Sequence, residues 1–367
     1  MEKLRSFPVT YSLVLLLFFS GVAKAQYPSD IKLKDYNPRS IYKTPVTIIN
    51  QAAFPVIDVH THDYAKTEKE LEQWVKTMDE VGIQKSIILS YSTGKKFDSI
   101  IEKYSKYPGR FDVWCGFDYT GYRSPGWVKN AVKELERCHK KGAKGVGELG
   151  DKGFGELYSK PVAGYGLHLD DPSLSMLFKK CGELNMPVNI HVAEDLWMYE
   201  SVDSLNDGLM NAAKWHVDMS SPDRLNHSQL ITTLENVVRD NPQTTFIACH
   251  LANCCADLSI IGALLDKYLN LFADISARYG EISPVPKYTS AFLKKYQDRI
   301  LYGTDMGLSK KMYQVTFRIL ESSDEHFYEK WLLNYHWPLY GLSLESNILK
   351  KIYHDNAMKI TGVRKPN

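Results

Sequence analysis

Short apolar runs recur at regular intervals along the chain, and polar or turn-forming residues separate them. The runs are rich in valine and isoleucine and mostly apolar throughout, which is typical of parallel strands buried on both faces. We therefore expect eight strands, at residues 54–59, 86–91, 111–117, 144–149, 187–192, 244–250, 271–276 and 299–304.

Amphipathic helical patterns lie between these runs. The clearest one follows the first strand and stops at Gly82, and its apolar residues recur at the i, i+3, i+4, i+7 spacing of a helix face: Leu71, Trp74, Val75 and Met78. Strand and helix alternate in this way along the chain without a break in composition. The alternation predicts an α/β protein with a single (β/α)8 TIM barrel rather than two open sheets.

The barrel is expected to span residues 54–367, after an N-terminal arm at 26–53 that shows little periodicity. Long connections follow the fourth, fifth and eighth strands, at residues 150–171, 193–227 and 306–342. In this fold the connections that follow the strands lie on the catalytic face. Their length predicts a shaped pocket covered by loops.

Residues 1–25 have the pattern of a secretory signal peptide. A basic start, "MEKLR", precedes the apolar stretch "YSLVLLLFFSGV", and small residues end the segment at Ala25. Because the stretch is short for a membrane span, we expect cleavage after Ala25 and a secreted or periplasmic protein, with a retained membrane anchor as the alternative. No later stretch is apolar for long enough to cross a bilayer, so no membrane contact is expected after cleavage.

The charge balance argues against nucleic acid or anionic lipid as a partner. The chain has 45 basic and 43 acidic residues, of which three and one lie in residues 1–25, so 42 of each would remain after cleavage. No basic run offers a surface for phosphate groups. We expect a small-molecule substrate, and association into a homo-oligomer stays open. The six cysteines lack the spacing of a disulfide framework, so we expect buried free thiols.

Polar residues that can bind a metal end several of the predicted strands. Side chains alternate along a strand, so the two histidines of "VHTH" face the same side. In a barrel the carboxyl ends of all strands meet at one mouth, and burying so many unpaired polar groups there would be costly. The pattern predicts a site for Zn²⁺ or another divalent metal ion. Its residues would be His60, His62, Glu148, His191, His250 and Asp305.

These residues and the phrases around them resemble a known family. The order His-x-His, Glu, His, His, Asp on successive strands resembles the amidohydrolase superfamily. The phrases "VIDVHTH", "PVNIHV", "FIACHLA", "LYGTDM" and "DNAMKI" are similar to those of its amidohydrolase-2 family of metal-dependent hydrolases and decarboxylases. The resemblance runs from about residue 54 to 362. Glu148 stands where many members carry a carboxylated lysine, an exchange also seen in TatD-type deoxyribonucleases.

The resemblance implies one of two arrangements, with one or two ions per chain. With one ion, His250 would polarise the substrate and the ligands would be His60, His62, His191 and Asp305. With two ions, Glu148 would bridge them, one ion held by His60, His62 and Asp305 and the other by His191 and His250. In either case a metal would lower the pKa of a water molecule, and the catalytic Asp305 would take the proton of that water.

Three further residues are candidates for substrate binding. Arg278 could form a paired contact with a substrate carboxylate, or it could form an ion pair with a neighbour such as Glu281. Tyr91 and Trp197 could stack on a ring or a sugar face, or they could pack within their loops.

The leading functional hypothesis is a secreted metal-dependent hydrolase that cleaves a C–O or C–N bond of a small molecule, such as a lactone, ester or amide. The alternative is a metal-dependent, non-oxidative decarboxylase of an aromatic or enoic carboxylic acid, because the family that the chain resembles contains both. A phosphodiesterase or nuclease is a third reading, which the balanced charge does not favour. An inactive metal-binding barrel would require a lost ligand or base, whereas all six positions are filled.

Overall fold

The computed structural model describes residues 27, 30–209, 216–329 and 336–362. The predicted signal peptide and its cleavage point after Ala25 therefore lie outside the described residues. The chain divides into a short amino-terminal unit that ends at Tyr36 and a second compact unit, Asn37–Asn367. The described part of the first unit contains one turn of 3-10 helix, Leu33–Asp35. None of the described helices is long and apolar enough to cross a membrane.

Strands and helices alternate through the second unit. The strands are β1 (Val56–Thr61), β2 (Ile83–Leu89), β3 (Phe111–Trp114), β4 (Val146–Asp151), β5 (Val188–Val192), β6 (Phe246–Ala248), β7 (Leu271–Asp274) and β8 (Ile300–Leu301). The helices are α1 (Glu68–Val81), α2 (Gly94–Ser105), α3 (Trp127–Lys141), α4 (Ser175–Glu183), α5 (His227–Asp240), α6 (Leu258–Lys267), α7 (Tyr279–Ile282), α8 (Pro286–Lys295), α9 (Lys310–Glu321), α10 (Ser346–Lys350) and α11 (Asn356–Thr361). One turn of π-helix, Lys351–Asp355, joins the last two helices.

All neighbouring strands pair in parallel, in the order of a (β/α)8 barrel. The regular ladders form two sheets, β1-β2-β3 and β4-β5-β6-β7-β8. Between the sheets, a single bridge pairs Cys115 with Val146, and the amide of Val59 donates to the carbonyl of Tyr302 at 3.0 Å. The strand order of the predicted barrel is therefore present, although the ladder is not continuous around it.

Several predicted strand bounds were wrong. β2 begins at Ile83 rather than at residue 86, because Gly82 ends α1 in a left-handed conformation and the strand follows directly. β6 ends at Ala248 rather than at residue 250, because a tight turn begins there, and β8 is shorter than predicted.

The core has two parts, which follow from the apolar patterns. Inside the barrel, Ile57 and Val59 pack with Ile87, Leu89 and Trp114 from neighbouring strands. A larger cluster fills the space between strands and helices. α1 shows how the sequence builds this layer: a capping box between Thr67 and Glu70 starts the helix, and its apolar face is buried (Leu71, Trp74, Met78 and Val81). All six cysteines are buried, and none forms a disulfide.

Residues 37–53, in the second half of the predicted arm, are fastened to the barrel near the end of α9. The Asp324 carboxylate accepts hydrogen bonds from the backbone amide of Thr47 at 2.8 Å and from its hydroxyl at 2.6 Å. Arg318 Nε donates to the same carboxylate at 2.7 Å. These polar bonds hold the segment, whereas its side chains Ile41, Val46 and Ile48 remain exposed.

Candidate metal centre

The six predicted ligands lie together at the carboxyl ends of the strands. The ring centroids of His60 and His250 are 4.9 Å apart, those of His60 and His62 are 5.3 Å apart, and those of His191 and His250 are 4.6 Å apart. Glu148 is buried among them, and Asp305, which follows β8, is partly exposed. The strand ends therefore bring together the residues that the sequence pattern singled out.

Hydrogen bonds to the Nδ1 atoms fix the orientation of His60 and His250. Nδ1 of His60 lies 3.1 Å from Oδ2 of the buried Asp274, at the end of β7. Nδ1 of His250 lies 2.8 Å from the carbonyl oxygen of Ser276. Because a carboxylate and a carbonyl only accept hydrogen bonds, both Nδ1 atoms carry the proton. In a neutral imidazole the lone pair is then on Nε2.

His62 is held in the same way. Its Nδ1 donates to the carbonyl oxygen of Leu89 at 2.9 Å, and its Nε2 lies 3.1 Å from Oδ1 of Asp305. The Nε2 atoms of His60 and His250 lie 4.0 Å and 3.8 Å from the two oxygens of the same carboxylate. In their neutral form, the three histidines thus aim unprotonated nitrogens at the space beside Asp305.

This arrangement fits a divalent metal ion. The Nε2 atom of His60 is buried and makes no hydrogen bond to any residue that the structure describes. An orphaned buried nitrogen is costly unless something binds its lone pair. Imidazole nitrogens together with carboxylate oxygens are the ligands that zinc and similar ions take. The donor set could therefore hold such an ion.

Glu148 lies between two groups of histidines. Its Oε2 is 3.6 Å from Nε2 of His62, whereas its Oε1 is 2.7 Å from Nδ1 of His191 and 3.7 Å from Nε2 of His250. His191 thus presents its Nδ1 atom to the site, and its Nε2 lies 3.8 Å from Oε2 of Glu194. One oxygen of Glu148 thus faces His62 and the other faces His191 and His250. Such a carboxylate could bridge two ions, or it could hold the ligands of one ion in place.

The buried carboxylates of the cluster are stabilised by positive charge near them. Burial alone would raise the pKa of Glu148, but the hydrogen bond and charge of His191 hold it well below its usual value. Burial opposes ionisation of Asp305 too, yet the charge of His60 and the hydrogen bond with His62 lower its pKa. Burial opposes a charge on His60, but the combined attraction of Asp274, Asp305 and Glu148 outweighs it and raises the pKa of His60 to about 10. A divalent ion would meet the same demand without protons on the histidines.

Two buried aspartates support the site, and the sequence reasoning missed both. Asp274 accepts the Nδ1 proton of His60, and its pKa is lowered to about 2 because the charge and hydrogen bond of His60 outweigh burial. Asp58 accepts from the amide of His60 at 3.2 Å and from the Thr304 hydroxyl at 2.7 Å, while burial raises its pKa to about 7. Both interrupt apolar strands, in "VIDV" and "FADI", and that interruption was the available signal.

A pocket of about 310 Å³ opens beside the cluster. Its lining includes the candidate ligands His62 and Glu148, the predicted substrate-binding Tyr91, and Lys160 from the connection after β4. The Nζ atom of Lys160 lies 4.6 Å from the centre of the Tyr91 ring. The pocket therefore combines an aromatic wall with one cationic group next to the candidate metal site.

The other two substrate-binding candidates lie elsewhere. Arg278 Nε donates to Oδ1 of Asn253 at 2.9 Å and lies 3.1 Å from Oδ2 of Asp195, and a guanidinium nitrogen is 3.9 Å from Glu281. This geometry favours the ion-pair alternative over a contact with a substrate carboxylate. Trp197 lines a second pocket rather than the one beside Glu148.

A left-handed turn positions His250. Residues His250, Leu251, Ala252 and Asn253 all have φ between 54° and 57°, although none of them is glycine. The His250 amide donates to Oδ1 of Asp274 at 3.0 Å, and Nδ2 of Asn253 donates to the carbonyl of Val192 at 3.0 Å. No pattern in the sequence indicated this turn, because residues such as Leu251 and Ala252 rarely adopt positive φ.

Comparison with protein families gives one match over most of the chain. The family model described as Amidohydrolase matches residues 95–363. No curated protein matches the chain.

Solved structures match over most of their length. An uncharacterised TIM-barrel protein from Bordetella bronchiseptica is 14% identical, with a TM-score of 0.53 over 84% of this chain and 98% of that one. The 2,6-dihydroxybenzoate decarboxylase from Rhizobium is 14% identical, with a TM-score of 0.51 over 84% and 98%. A dihydroxybenzoic acid decarboxylase from Polaromonas sp. JS666, with bound manganese and the inhibitor 2-nitroresorcinol, is 14% identical, with a TM-score of 0.52 over 85% and 98%. At these identities the likeness concerns the fold, and it confirms the predicted TIM barrel.

Proposed function

The chain belongs to the amidohydrolase family of metal-dependent enzymes, as its motifs predicted, and from this premise we propose that it hydrolyses a C–O or C–N bond of a small molecule. The bond would be that of a lactone, ester or amide. The convergence of three Nε2 lone pairs on Asp305 carries the proposal, since such a constellation has little use except to bind a cation.

The ligands of one ion would be His60, His62 and Asp305, and Glu148 would connect them to His191 and His250. Zinc suits this mixture of imidazole and carboxylate, and other divalent ions such as manganese have the same requirements for oxygen and nitrogen ligands. When bound, a divalent ion supplies a lowered pKa for water and polarisation of a substrate carbonyl.

Asp305 is proposed as the catalytic base. Its lowered pKa keeps it ionised at neutral pH, so it can accept a proton from the attacking water and return it to the leaving group. The hydroxyl of Tyr64 donates to Oδ1 of Asp305 at 3.0 Å and holds the carboxylate in place. His250, whose Nδ1 proton is held by the Ser276 carbonyl, would polarise the electrophile from the other side when a second proton occupies its Nε2.

A decarboxylase is the second candidate, and Lys160 is the observation that favours it. The pocket beside His62 and Glu148 contains this one cationic group, which suits a substrate carboxylate. Two of the similar folds reported above are decarboxylases of dihydroxybenzoic acids. Lys160 serves an anionic ester or amide equally well, so the reaction itself must decide between the two.

Export is a further part of the proposal. It is supported by the pattern of residues 1–25 and predicts a mature protein that begins at Gln26. Amino-terminal sequencing of the protein recovered outside the cytoplasm would test it, and an intact Met1 in that fraction would contradict it.

The metal site is tested by the metal content per chain, measured by plasma mass spectrometry on protein purified without chelator. Glu148→Ala should lower about two ions to one if Glu148 bridges, whereas about one ion in both proteins would make it a supporting residue. Glu136→Ala, at a partly exposed position of α3 that pairs with Lys180 and lies outside the candidate ligand set, is a control. The absence of tightly held metal from the wild type would refute the metal site.

The reaction is tested in water labelled with ¹⁸O. A panel of esters, lactones, amides and hydroxybenzoic acids is incubated with the enzyme, and both labelled product and released CO2 are measured. Hydrolysis should place one labelled oxygen in the product without CO2. Release of CO2 from an aromatic acid without labelled oxygen would replace the hydrolase by the decarboxylase.

A further inference from the structure

A second pocket lies on the same face of the barrel as the candidate metal centre. It encloses about 420 Å³, and its lining comes from the connections that follow β5, β6 and β7 and from the segment around residue 337. We call it the aromatic pocket, because its walls include Trp197, Tyr288 and Trp337. Its acidic residues are Asp195, Asp207 and Glu281, and no lysine or arginine occurs among the described residues that line it.

Asp195 is the most unusual group in this lining. It is only 1% exposed, and neither of its carboxylate oxygens accepts a hydrogen bond from a residue in the described parts of the chain. Its nearest cation is Arg278, whose Nε lies 3.1 Å from Oδ2 but donates its proton to Asn253 at 2.9 Å. Asp195 therefore lies beside a positive charge, but its carboxylate accepts no hydrogen bond from the described residues.

A buried carboxylate without hydrogen-bond donors destabilises the folded state. Leaving a buried charged acceptor without donors costs more than a typical hydrogen bond contributes, so buried carboxylates are nearly always hydrogen-bonded. The indole Nε1 of Trp197 is also buried and has no acceptor among the described residues. Unmet polar groups inside a cavity indicate that a ligand completes them.

The side chains that line the aromatic pocket favour a cationic ligand. The faces of tryptophan and tyrosine rings attract cations, and the attraction grows when water is excluded. An ammonium group also brings N–H donors for the Asp195 oxygens. An anion would meet three carboxylates, and an alcohol would supply fewer donors and no charge.

We infer that the aromatic pocket binds the protonated amine of a small organic molecule, with Asp195 as its hydrogen-bond acceptor and the aromatic rings around its alkyl or aryl part. The inference rests on the proposed function in one respect, that the amine is part of the substrate of the same enzyme. That substrate would be an ester, lactone or amide with an amino group, and the binding of the amine itself requires no metal chemistry.

The test uses the full chain as purified and the probe benzylammonium, with benzyl alcohol as its neutral counterpart. Binding is measured by calorimetry and by quenching of tryptophan fluorescence. Wild-type protein should bind benzylammonium at least about tenfold more tightly than benzyl alcohol, and Asp195→Asn should weaken the amine roughly 10- to 100-fold, as expected for the loss of a charge-assisted hydrogen bond. Asp223→Asn, exposed on the same connection and outside the pocket lining, should leave binding unchanged.

A second variant guards against misfolding of Asp195→Asn. Tyr288→Leu changes a rim residue that is 45% exposed, and it should weaken the amine several-fold while the metal content stays at the wild-type value. Equal affinities for the amine and the alcohol, or unchanged amine binding in both variants, would overturn the assignment. Tight amine binding by a protein that hydrolyses nothing would refute the proposed function and leave the pocket assignment intact.

Discussion

Replacing Asp274 with asparagine is the sharpest test of how the site is held together. Oδ1 of Asp274 accepts from the amides of His250 and Ser276 at 3.0 and 3.1 Å, and Oδ2 accepts from His60 Nδ1 at 3.1 Å and from Asn189 Nδ2 at 3.3 Å. Asparagine has the same shape but only one oxygen. If that oxygen still accepts from the two backbone amides, the NH2 group takes the place of Oδ2. It then faces two other donors, His60 Nδ1 and Asn189 Nδ2, and cannot accept from either.

The cost follows from those two donors. A buried donor without an acceptor costs about 1–3 kcal/mol, so Asp274→Asn should lower the free energy of unfolding by about 2–6 kcal/mol. His60 can avoid part of this cost by moving its proton from Nδ1 to Nε2. It then loses the lone pair that faces Asp305. Either response weakens metal binding, by about 10- to 100-fold on the scale of supporting residues around metal sites.

Asp58→Asn is the matched control. Asp58 is equally buried, but among the described residues the one hydrogen bond to its Oδ2 comes from the Thr304 hydroxyl, which can reverse its role and accept from an amide. Its pKa near 7 means that the uncharged form is already common at neutral pH, so asparagine imitates a state that the protein tolerates. Its metal affinity should change less than about threefold.

Metal affinity would be measured by competition with a chromophoric chelator, and stability by denaturant unfolding of the metal-free protein. If Asp274→Asn and Asp58→Asn have equal metal affinity, the tautomer argument is wrong. If Asp274→Asn loses stability but binds metal normally, the aspartate is a structural residue and does not orient His60.

Three further predictions concern other contacts. Lys160→Met should raise KM for an anionic substrate about tenfold with little change in kcat, while Lys160→Arg retains most of the affinity; equal effects on a neutral substrate would contradict an anchoring role. Tyr64→Phe should lower kcat several-fold without loss of metal, as measured by steady-state kinetics and metal analysis, because only the hydrogen bond that steadies the base is removed. The pKa of Asp324 is lowered because its hydrogen bonds with Thr47 and Arg318 outweigh burial, so its stabilising effect is present at neutral pH and is lost as pH falls below about 4. The protection of the Thr47 amide from hydrogen exchange, relative to the intrinsic rate at each pH, should therefore fall in acid, and an Asp324→Asn variant should show the same low protection at pH 7.

The sequence predicted the barrel and the convergence of six candidate ligands at its mouth, because both depend on simple geometry. Parallel strands must be apolar on both faces, and their carboxyl ends must meet, so a histidine that ends an apolar run has a predictable location. Gly82 shows the limit for element bounds. Its left-handed conformation lets β2 start at once, and no periodicity in the strand itself reveals that.

The supporting groups were harder to predict, because their partners come from distant parts of the chain. Asp274 meets His60 across 214 residues, and Asp195 meets Arg278 only after two connections have folded. For Arg278 the sequence left both a contact with a substrate carboxylate and an ion pair open, because it does not show which residues lie near an arginine that follows a strand. The left-handed turn at His250 could not be predicted for a local reason. Leucine and alanine, which form part of it, favour other backbone conformations.

That turn gives the chain an unusual dependence on its cofactor. Four residues in a left-handed conformation cost about 1–2 kcal/mol each, so the segment stores on the order of 4–8 kcal/mol that its contacts must offset. If this segment opens locally, His250 leaves the site with it. An ion bound through His250 binds only the closed turn, and each tenfold excess over its Kd would stabilise that state by about 1.4 kcal/mol. Folding of this loop and occupancy of the site are then linked equilibria, so scarcity of metal would shift the chain toward local unfolding and exposure to proteases.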